Sequence, residues 1–209
     1  MAKQHRSLML EYQGLCTYEV ALLTEALSYI RDGDWALSTV AAERTLYTTE
    51  DHLRVQPDNT FDQIDPFDYD LIILPGIDDF RIPLADHRNI DFLRRLNVSG
   101  KRPLIAAMSS SPVLLAKAGL LDHTRFMAGF FEEMYPDYPF IPKQNLLRQP
   151  VVRDNGIITA SGQFFREFAI ETLRACGFPV PDDAYAPARK TPPYTAEKLT
   201  YWQDPTHKP

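Results

Sequence analysis

The sequence predicts an α/β fold, a three-layer sandwich in which helices cover both faces of a mostly parallel central sheet. Short apolar runs alternate along the chain with segments of helical period, the pattern typical of this architecture. Two of the runs, Leu71–Leu74 and Leu104–Met108, are apolar without alternation, as expected for central strands buried on both faces. With 209 residues, the chain is long enough to bury a core without disulfides or metals.

The first part of the chain is predicted to form a strand, a helix and a second strand. The first strand covers residues 7–12, and the helix begins at about Tyr18 with Thr17 as a possible N-cap. Its apolar stripe is spaced by three and four residues: Val20, Leu23, Leu27 and Ile30. Asp, Gly and Asp at 32–34 end the helix, and residues 35–41 form the next strand.

The middle of the chain carries the two central strands. Residues 45–55 suggest a short hairpin or edge pair, with Asp58 and Asn59 as its turn. Pro75 and Gly76 stop the strand Leu71–Leu74, and a short helix follows over residues 89–96, ending near Gly100.

The strand Leu104–Met108 leads directly into a further helix. Ser111 before Pro112 predicts a capped helix start, and Gly119 its C-cap. Residues 125–128 are a further candidate strand.

The last predicted elements are a hairpin and a helix. Strands at 151–153 and 157–160 flank an Asn-Gly turn. A helix begins near Gln163 and ends at Gly177 and Pro179. We therefore divide the chain into an α/β domain, residues 1–178, and a proline-rich arm, residues 179–209. The arm carries apolar residues that should pack on the domain or on a neighbouring subunit: Tyr194, Leu199, Tyr201 and Trp202.

Composition excludes several classes of function. The net charge of −6 argues against a nucleic-acid partner, which needs a basic face. The apolar stretches are too short for a signal peptide or a membrane span, so we expect a cytoplasmic protein with no membrane partner. Cys16 and Cys176 are expected to be free thiols. No ligand spacing predicts a metal, and nothing predicts a cofactor.

Three features should meet where ligands bind in open α/β sheets, beyond the carboxyl ends of the strands. They are Glu19 in the first turn of the first helix, the loop 75–77, and the serine run 109–111. Periodicity leaves Glu19 either at the edge of the buried stripe or as an exposed first-turn glutamate. The serines are either chemical groups or ordinary helix capping.

Three stretches of the chain resemble the ThiJ/PfpI superfamily, and the resemblance covers roughly residues 7 to 178. They are DLIILPG at 70–76, IAAMSSSP at 105–112 with LAKAGLL at 115–121, and VVRDNGIITASG at 151–162. The resemblance implies a flavodoxin-like, class I glutamine-amidotransferase-like fold. It also implies kinship with intracellular proteases, deglycases, glyoxalases and isocyanide hydratases. Members of the superfamily are commonly homodimers, so a homodimer is expected.

The resemblance assigns a role to each position of the candidate site. Ser109 falls on the superfamily's nucleophilic cysteine and Glu19 on its conserved acid. Gly76 and Ile77 fall on the oxyanion loop, where the second glycine has become Ile77. Ser110 takes the place of the histidine that follows the cysteine in the protease branch. The pocket thus departs from the family pattern at three positions.

These departures leave two functions open. Serine is a weaker acid than cysteine by several pKa units, each worth about 1.4 kcal/mol, and no histidine occupies a motif position that could serve as its base. A small-molecule-binding protein with a divergent pocket is one reading, and a hydrolase or lyase using Ser109 and Glu19 is the other.

Cys16, three residues before Glu19, is either a displaced thiol of the pocket or a buried filler. His123 is the histidine nearest to the serine run along the chain, and a surface position in a loop is its simpler interpretation.

Overall fold

A computed structural model describes residues 5–29, 35–185, 195–197 and 199–203 of the chain. Some sequence predictions concern residues outside these ranges: Ile30 on the first helical stripe, the helix end at 32–34, and Tyr194 in the arm.

The centre of the molecule is a seven-stranded sheet with the order β10-β11-β9-β7-β1-β3-β6. All of its neighbouring strands are parallel except β10, which runs antiparallel to β11. Two short antiparallel pairs, β2 with β8 and β4 with β5, lie outside the main sheet. The strands are β1 His5–Leu10, β2 Leu15–Cys16, β3 Trp35–Ala41, β4 Tyr47–Thr48, β5 Arg54–Val55, β6 Asn59–Thr60, β7 Leu71–Leu74, β8 Gly76–Ile77, β9 Leu104–Met108, β10 Val151–Asp154 and β11 Ile157–Ala160.

Helices cover both faces of this sheet, as the sequence predicts. They are α1 Tyr18–Ser28, α2 Arg81–Ala85, α3 His87–Arg94, α4 Pro112–Lys117 and α5 Phe165–Ala175. On one face, Leu71 and Ile73 pack with residues of α1 and α5. On the other, Ile72 and Leu74 pack with residues of α3 and α4. Alternate residues of β7 thus enter two different cores, which explains its unbroken apolar run.

Several predicted boundaries need correction. The first strand begins at His5 and ends at Leu10, earlier than predicted, and α3 ends at Arg94. Asp58 and Asn59 are not a turn, since the Asp58 carboxylate accepts a hydrogen bond from the Thr39 N–H (2.9 Å) while Asn59 begins β6. The hairpin of β4 and β5 turns through residues 49–53 instead.

The expected strand at residues 125–128 is only a single bridge between Phe126 and Leu146. Thr17 and Ser111 stand at helix starts, but neither side chain caps its helix. Both have helical backbone angles, and the Thr17 hydroxyl donates to Asp51 (3.0 Å) instead.

The arm packs on its own domain where the structure describes it. Leu199 is buried in the core beneath α1 and α5, and Tyr201 packs against the same core. Trp202 is half-buried. These contacts give Leu199 and Tyr201 cover within one chain, so the expected homodimer is not needed to shield them. Within the described ranges, no helix is long and apolar enough to cross a membrane.

Candidate functional site

Ser109 occupies a strained turn at the carboxyl end of β9. Its φ of +56° lies in the left-handed region, which costs a residue with a Cβ atom about 1–2 kcal/mol. Two backbone hydrogen bonds hold it there: its N–H donates to Ala160 O (2.8 Å), and its carbonyl accepts from Gly129 N–H (2.7 Å). The turn presents the Ser109 side chain beyond the end of the sheet.

The next two serines fix this turn against the neighbouring strands. The Ser110 hydroxyl donates to Ile77 O (2.8 Å), joining the turn to β8. The Ser111 hydroxyl contacts Met108 O (2.8 Å) and Leu74 O (3.2 Å). Capping therefore does not explain the serine run, because both hydroxyls serve the turn and not the helix start.

Glu19 is buried, with only 3% of its surface exposed, and it lies against Ser109. Two glycines make room for its carboxyl group. A Cβ atom built on Gly76 would lie 2.7 Å from Glu19 Cδ and 2.8 Å from Ser109 Cβ. One built on Gly162 would lie 3.2 Å from Glu19 Cδ and 3.4 Å from Ser109 Oγ. The loops after β7, β9 and β11 thus converge on one carboxyl group. Of the two positions that the sequence leaves open for Glu19, the structure shows the buried one.

Burial raises the pKa of Glu19 to about 7. Hydrogen bonding from Ser109, Tyr18 and the Gly76 backbone acts in the opposite direction. It does not outweigh burial, because Glu19 Oε2 lacks a partner with normal hydrogen-bond geometry among the described residues and the Tyr18 hydroxyl is 3.4 Å from Oε1. Near neutral pH, Glu19 therefore exists in both protonation states, which suits a group that exchanges protons with a ligand.

A cleft of about 460 Å³ opens beside Ser109 and Ser110. Its apolar wall includes Phe80, Phe130 and Phe131. Three charged residues stand at the cleft: Asp78, Asp79 and Arg81. Asp79 and Arg81 form a double hydrogen bond, both contacts at 2.7 Å, and so largely neutralise each other.

The described part of the cleft contains neither a histidine nor a cluster of metal-binding side chains. No histidine lines it among the described residues, and exposed His123 lies elsewhere. The described part of the chain also contains no group of three or more His, Cys, Asp or Glu side chains arranged to hold a metal ion. A separate cleft of about 400 Å³ contains His5, Trp35 and Lys101, but it lies at the amino ends of the strands, away from Ser109 and Glu19.

Cys16 is a buried thiol that contacts the Glu50 carboxylate. Burial, together with this hydrogen bond, raises the pKa of Cys16 far above the usual thiol range. The reactive form of cysteine is the thiolate, so Cys16 is inert near neutral pH. This favours the interpretation of Cys16 as a filler over that of a displaced nucleophile.

We expect mild peroxide to leave Cys16 unoxidised, because its thiolate is not populated. Mass spectrometry of the peroxide-treated protein checks this. A Ser109→Cys variant is the positive control, since it places a thiol at the cleft. Rapid formation of sulfinic acid at Cys16 in the unmodified protein would contradict the expectation.

Five of the sequence-predicted site residues lie together around the cleft. Glu19, Gly76 and Ser109 are in mutual contact, and Ile77 and Ser110 line the cleft. The Gly76 N–H is directed at Glu19, whereas the Ser110 N–H has no acceptor among the described residues. Ser110 is thus the better placed of these two backbone groups to meet a ligand oxygen.

Comparison with known proteins decides the family. The model of the DJ-1/PfpI family matches residues 5–175 of the chain. The chain belongs to the DJ-1/PfpI family. This confirms the resemblance that the three motifs indicated, and the parallel sheet with its helices agrees with the fold that the family implies.

The chain is also similar to individual proteins and structures of this kind. The chain is 28% identical over 149 residues to a Bacillus subtilis (strain 168) protein named as the uncharacterized protease YoaZ, covering 69% of this chain and 68% of that protein. A DJ-1 superfamily protein of Agrobacterium tumefaciens superposes with a TM-score of 0.71 at 23% identity, over 85% of this chain and 92% of that one. A thiJ/pfpI family protein of Bacillus anthracis gives 0.73 at 24% identity, over 87% of each chain. At these identities the two structures support the fold alone.

Several residues of the site are not marked by the sequence pattern. Gly162 lies in one of the three family motifs, and its position before the last helix was the available signal. Gly129, Phe130 and Phe131 come from the long segment after α4, where no period marks them, and Phe80 directly precedes α2. Gln203 lines the same cleft from the arm. Nothing local in the sequence connects Gln203 with Ser109.

Proposed function

We propose that this DJ-1/PfpI family member binds a small molecule in the cleft beside Ser109, holding a carbonyl or amide group of the ligand. The observation that carries the proposal is Ser109 itself, held in a strained conformation at the cleft and against the buried Glu19 carboxyl. The Ser110 N–H is a suitable donor to a ligand oxygen, and the Ser109 hydroxyl is a second one when protonated Glu19 donates its own hydrogen bond to Ser109 Oγ. When Glu19 is ionised, it accepts from the Ser109 hydroxyl, whose oxygen can then accept from an amide of the ligand.

Serine chemistry favours binding over catalysis. A serine nucleophile normally needs a base to take its proton, and histidine is the usual one. None of the described cleft residues is a histidine. Glu19, with a pKa of about 7, is too weak a base to ionise a serine hydroxyl, a group several pKa units less acidic than a thiol.

A hydrolase acting on small amides or esters is the second candidate. One observation favours it: a residue in a strained turn at the end of a central strand, with a proton-exchanging carboxyl beside it, is the arrangement of a nucleophile and its acid-base partner. The Bacillus subtilis relative bears the name of a protease. In this reading Ser109 attacks the carbonyl carbon and Glu19 takes up its proton.

Covalent labelling and turnover separate the two candidates. We expect a fluorophosphonate probe to leave Ser109 unlabelled, and p-nitrophenyl acetate to be hydrolysed no faster than by a Ser109→Ala variant. Mass spectrometry and absorbance give the two readouts. Stoichiometric labelling of Ser109, with turnover abolished in Ser109→Ala, would establish the hydrolase instead.

Binding is tested directly with small amides and aldehydes, such as benzamide and benzaldehyde, by ligand-observed NMR. We expect saturable binding that is lost in Gly129→Leu, where the added side chain fills the cleft beside Ser109. Ser99→Leu is the matched control, because it places the same side chain on an exposed loop. Binding that is equal in both variants would contradict a ligand site at Ser109.

A further inference from the structure

The arm contributes to the cleft through residues 199–203, which we call the C-terminal segment. Leu199 is 1% exposed and anchors one end of the segment in the core under α1 and α5. Next to it, Tyr201 forms a parallel bridge with Phe131, and the Glu132 N–H donates to Tyr201 O (2.9 Å). The segment therefore runs beside Phe130 and Phe131 of the aromatic wall of the cleft.

Side chains strengthen this attachment on two sides. Arg148 Nε donates to the Thr200 hydroxyl (2.6 Å), and the same guanidinium pairs with Glu132. The Gln203 N–H donates to Glu133 Oε2 (3.1 Å). These contacts fix both the path of the segment and the position of Gln203.

Tyr201 also connects the segment to the loop on the other side of the site. Its hydroxyl accepts from Gln163 Nε2 (3.2 Å). Gln163 directly follows Gly162, the residue that lies against the Glu19 carboxyl. The segment is thus attached to the loops at 131–133 and 161–163, which both border the site. Its last described residue, Gln203, lines the same cleft as Ser109.

We propose that Gln203 is a specificity-determining residue of the Ser109 cleft, recognising a polar, uncharged group of the ligand. The primary amide of Gln203 offers two donors and one acceptor, which match a hydroxyl or an amide. The apolar wall formed by Phe80, Phe130 and Phe131 favours an apolar part between the two polar ends. The ligand class is therefore a small compound with a carbonyl at Ser109 and a hydroxyl or amide at its far end. This inference rests on the proposed function, that the cleft binds a small molecule.

A thiol introduced at position 109 tests the role of Gln203 without requiring that the natural ligand be known. In a Ser109→Cys background, two alkylating reagents of nearly equal size are compared: iodoacetamide N-substituted with a carbamoylmethyl group and iodoacetamide N-substituted with an isobutyl group. We expect the rate ratio of the amide reagent to the isobutyl reagent to fall roughly threefold to tenfold in Gln203→Leu, the factor expected for one lost hydrogen bond. Gln149→Leu is the matched control, since Gln149 is exposed and does not line the cleft.

An unchanged ratio in Gln203→Leu would overturn the inference. A second measurement avoids the introduced thiol: binding of two benzamides that differ in the same two substituents, by ligand-observed NMR on the otherwise unmodified protein. The preference for the amide-bearing compound should again disappear in Gln203→Leu, and a preference that persists would overturn the inference. Amides that bind with no effect of Gln203 contradict this inference alone. Absence of fragment binding to the otherwise unmodified protein contradicts the proposed function, and this inference with it.

Discussion

Replacing Glu19 with glutamine should remove a pH-dependent loss of stability of about 3 kcal/mol, which corresponds to the displacement of its pKa from 4.5 to about 7. Well below pH 4.5 the carboxyl is protonated in both the folded and the unfolded chain and contributes no difference. As the pH rises, the unfolded chain ionises first, while buried Glu19 stays protonated until about pH 7. The wild-type protein therefore loses stability across this window relative to Glu19→Gln, and the difference is constant above it.

Urea unfolding of both proteins at pH 4.5, 6 and 8 measures this difference. Other titrating groups are common to the two proteins and cancel. The matched control is Glu25→Gln, because Glu25 lies exposed on the same helix α1. Stability curves of wild type and Glu19→Gln that run parallel across this range would contradict the raised pKa of Glu19.

Gly76→Ala should be the most disruptive single-methyl change in the site, destabilising the fold by about 2–3 kcal/mol through overpacking. The added Cβ would lie 2.7 Å from Glu19 Cδ and 2.8 Å from Ser109 Cβ, distances that force one of these groups to move. Neither has free space, since the Glu19 carboxyl also faces Gly162 and the Ser109 backbone is hydrogen-bonded on both sides. Thermal or urea unfolding measures the loss.

Gly129→Ala is the matched control for this change. Its added Cβ would meet Ser109 at 3.4 Å, a much looser contact, and Gly129 does not require a positive φ. We expect Gly129→Ala to cost less than about 1 kcal/mol. Equal losses in the two variants would show that the site tolerates a methyl group between Glu19 and Ser109.

The sequence predicts the parts of the fold that depend on local pattern. The runs Leu71–Leu74 and Leu104–Met108 are strands with the predicted bounds, because a strand buried on both faces has a distinct composition. The Asn155-Gly156 turn is likewise as predicted, with both residues at positive φ. By contrast, Asn59 and Thr60 form a strand only because they pair with distant β3, and no local signal announces such a pairing.

The site was predictable to the extent that a motif marks it. Gly76 and Ser109 lie in the family motifs, whereas the resemblance assigns Glu19 from its place in the first helix, and helical period alone leaves its burial undecided. The aromatic wall is not marked in the sequence, because Phe130 meets Phe80 only when the segment after α4 folds against it. The Asp79–Arg81 pair is local, but no family motif contains it. Gln203 is the extreme case, because 93 residues of chain separate it from Ser110 across the same cleft.

The left-handed backbone conformation at Ser109 affects the stability of the turn but does not depend on the reactive group of the side chain. Its conformational cost arises from the Cβ atom and the backbone, so a thiol or a hydroxyl beyond that Cβ bears the same cost. Exchanging serine for cysteine would therefore leave the turn nearly as stable while changing the acidity of the side chain by several pKa units. The reactive group at position 109 can therefore change with little effect on the free energy of unfolding. A chain can retain the turn that positions a nucleophile although the side chain in that turn no longer acts as one.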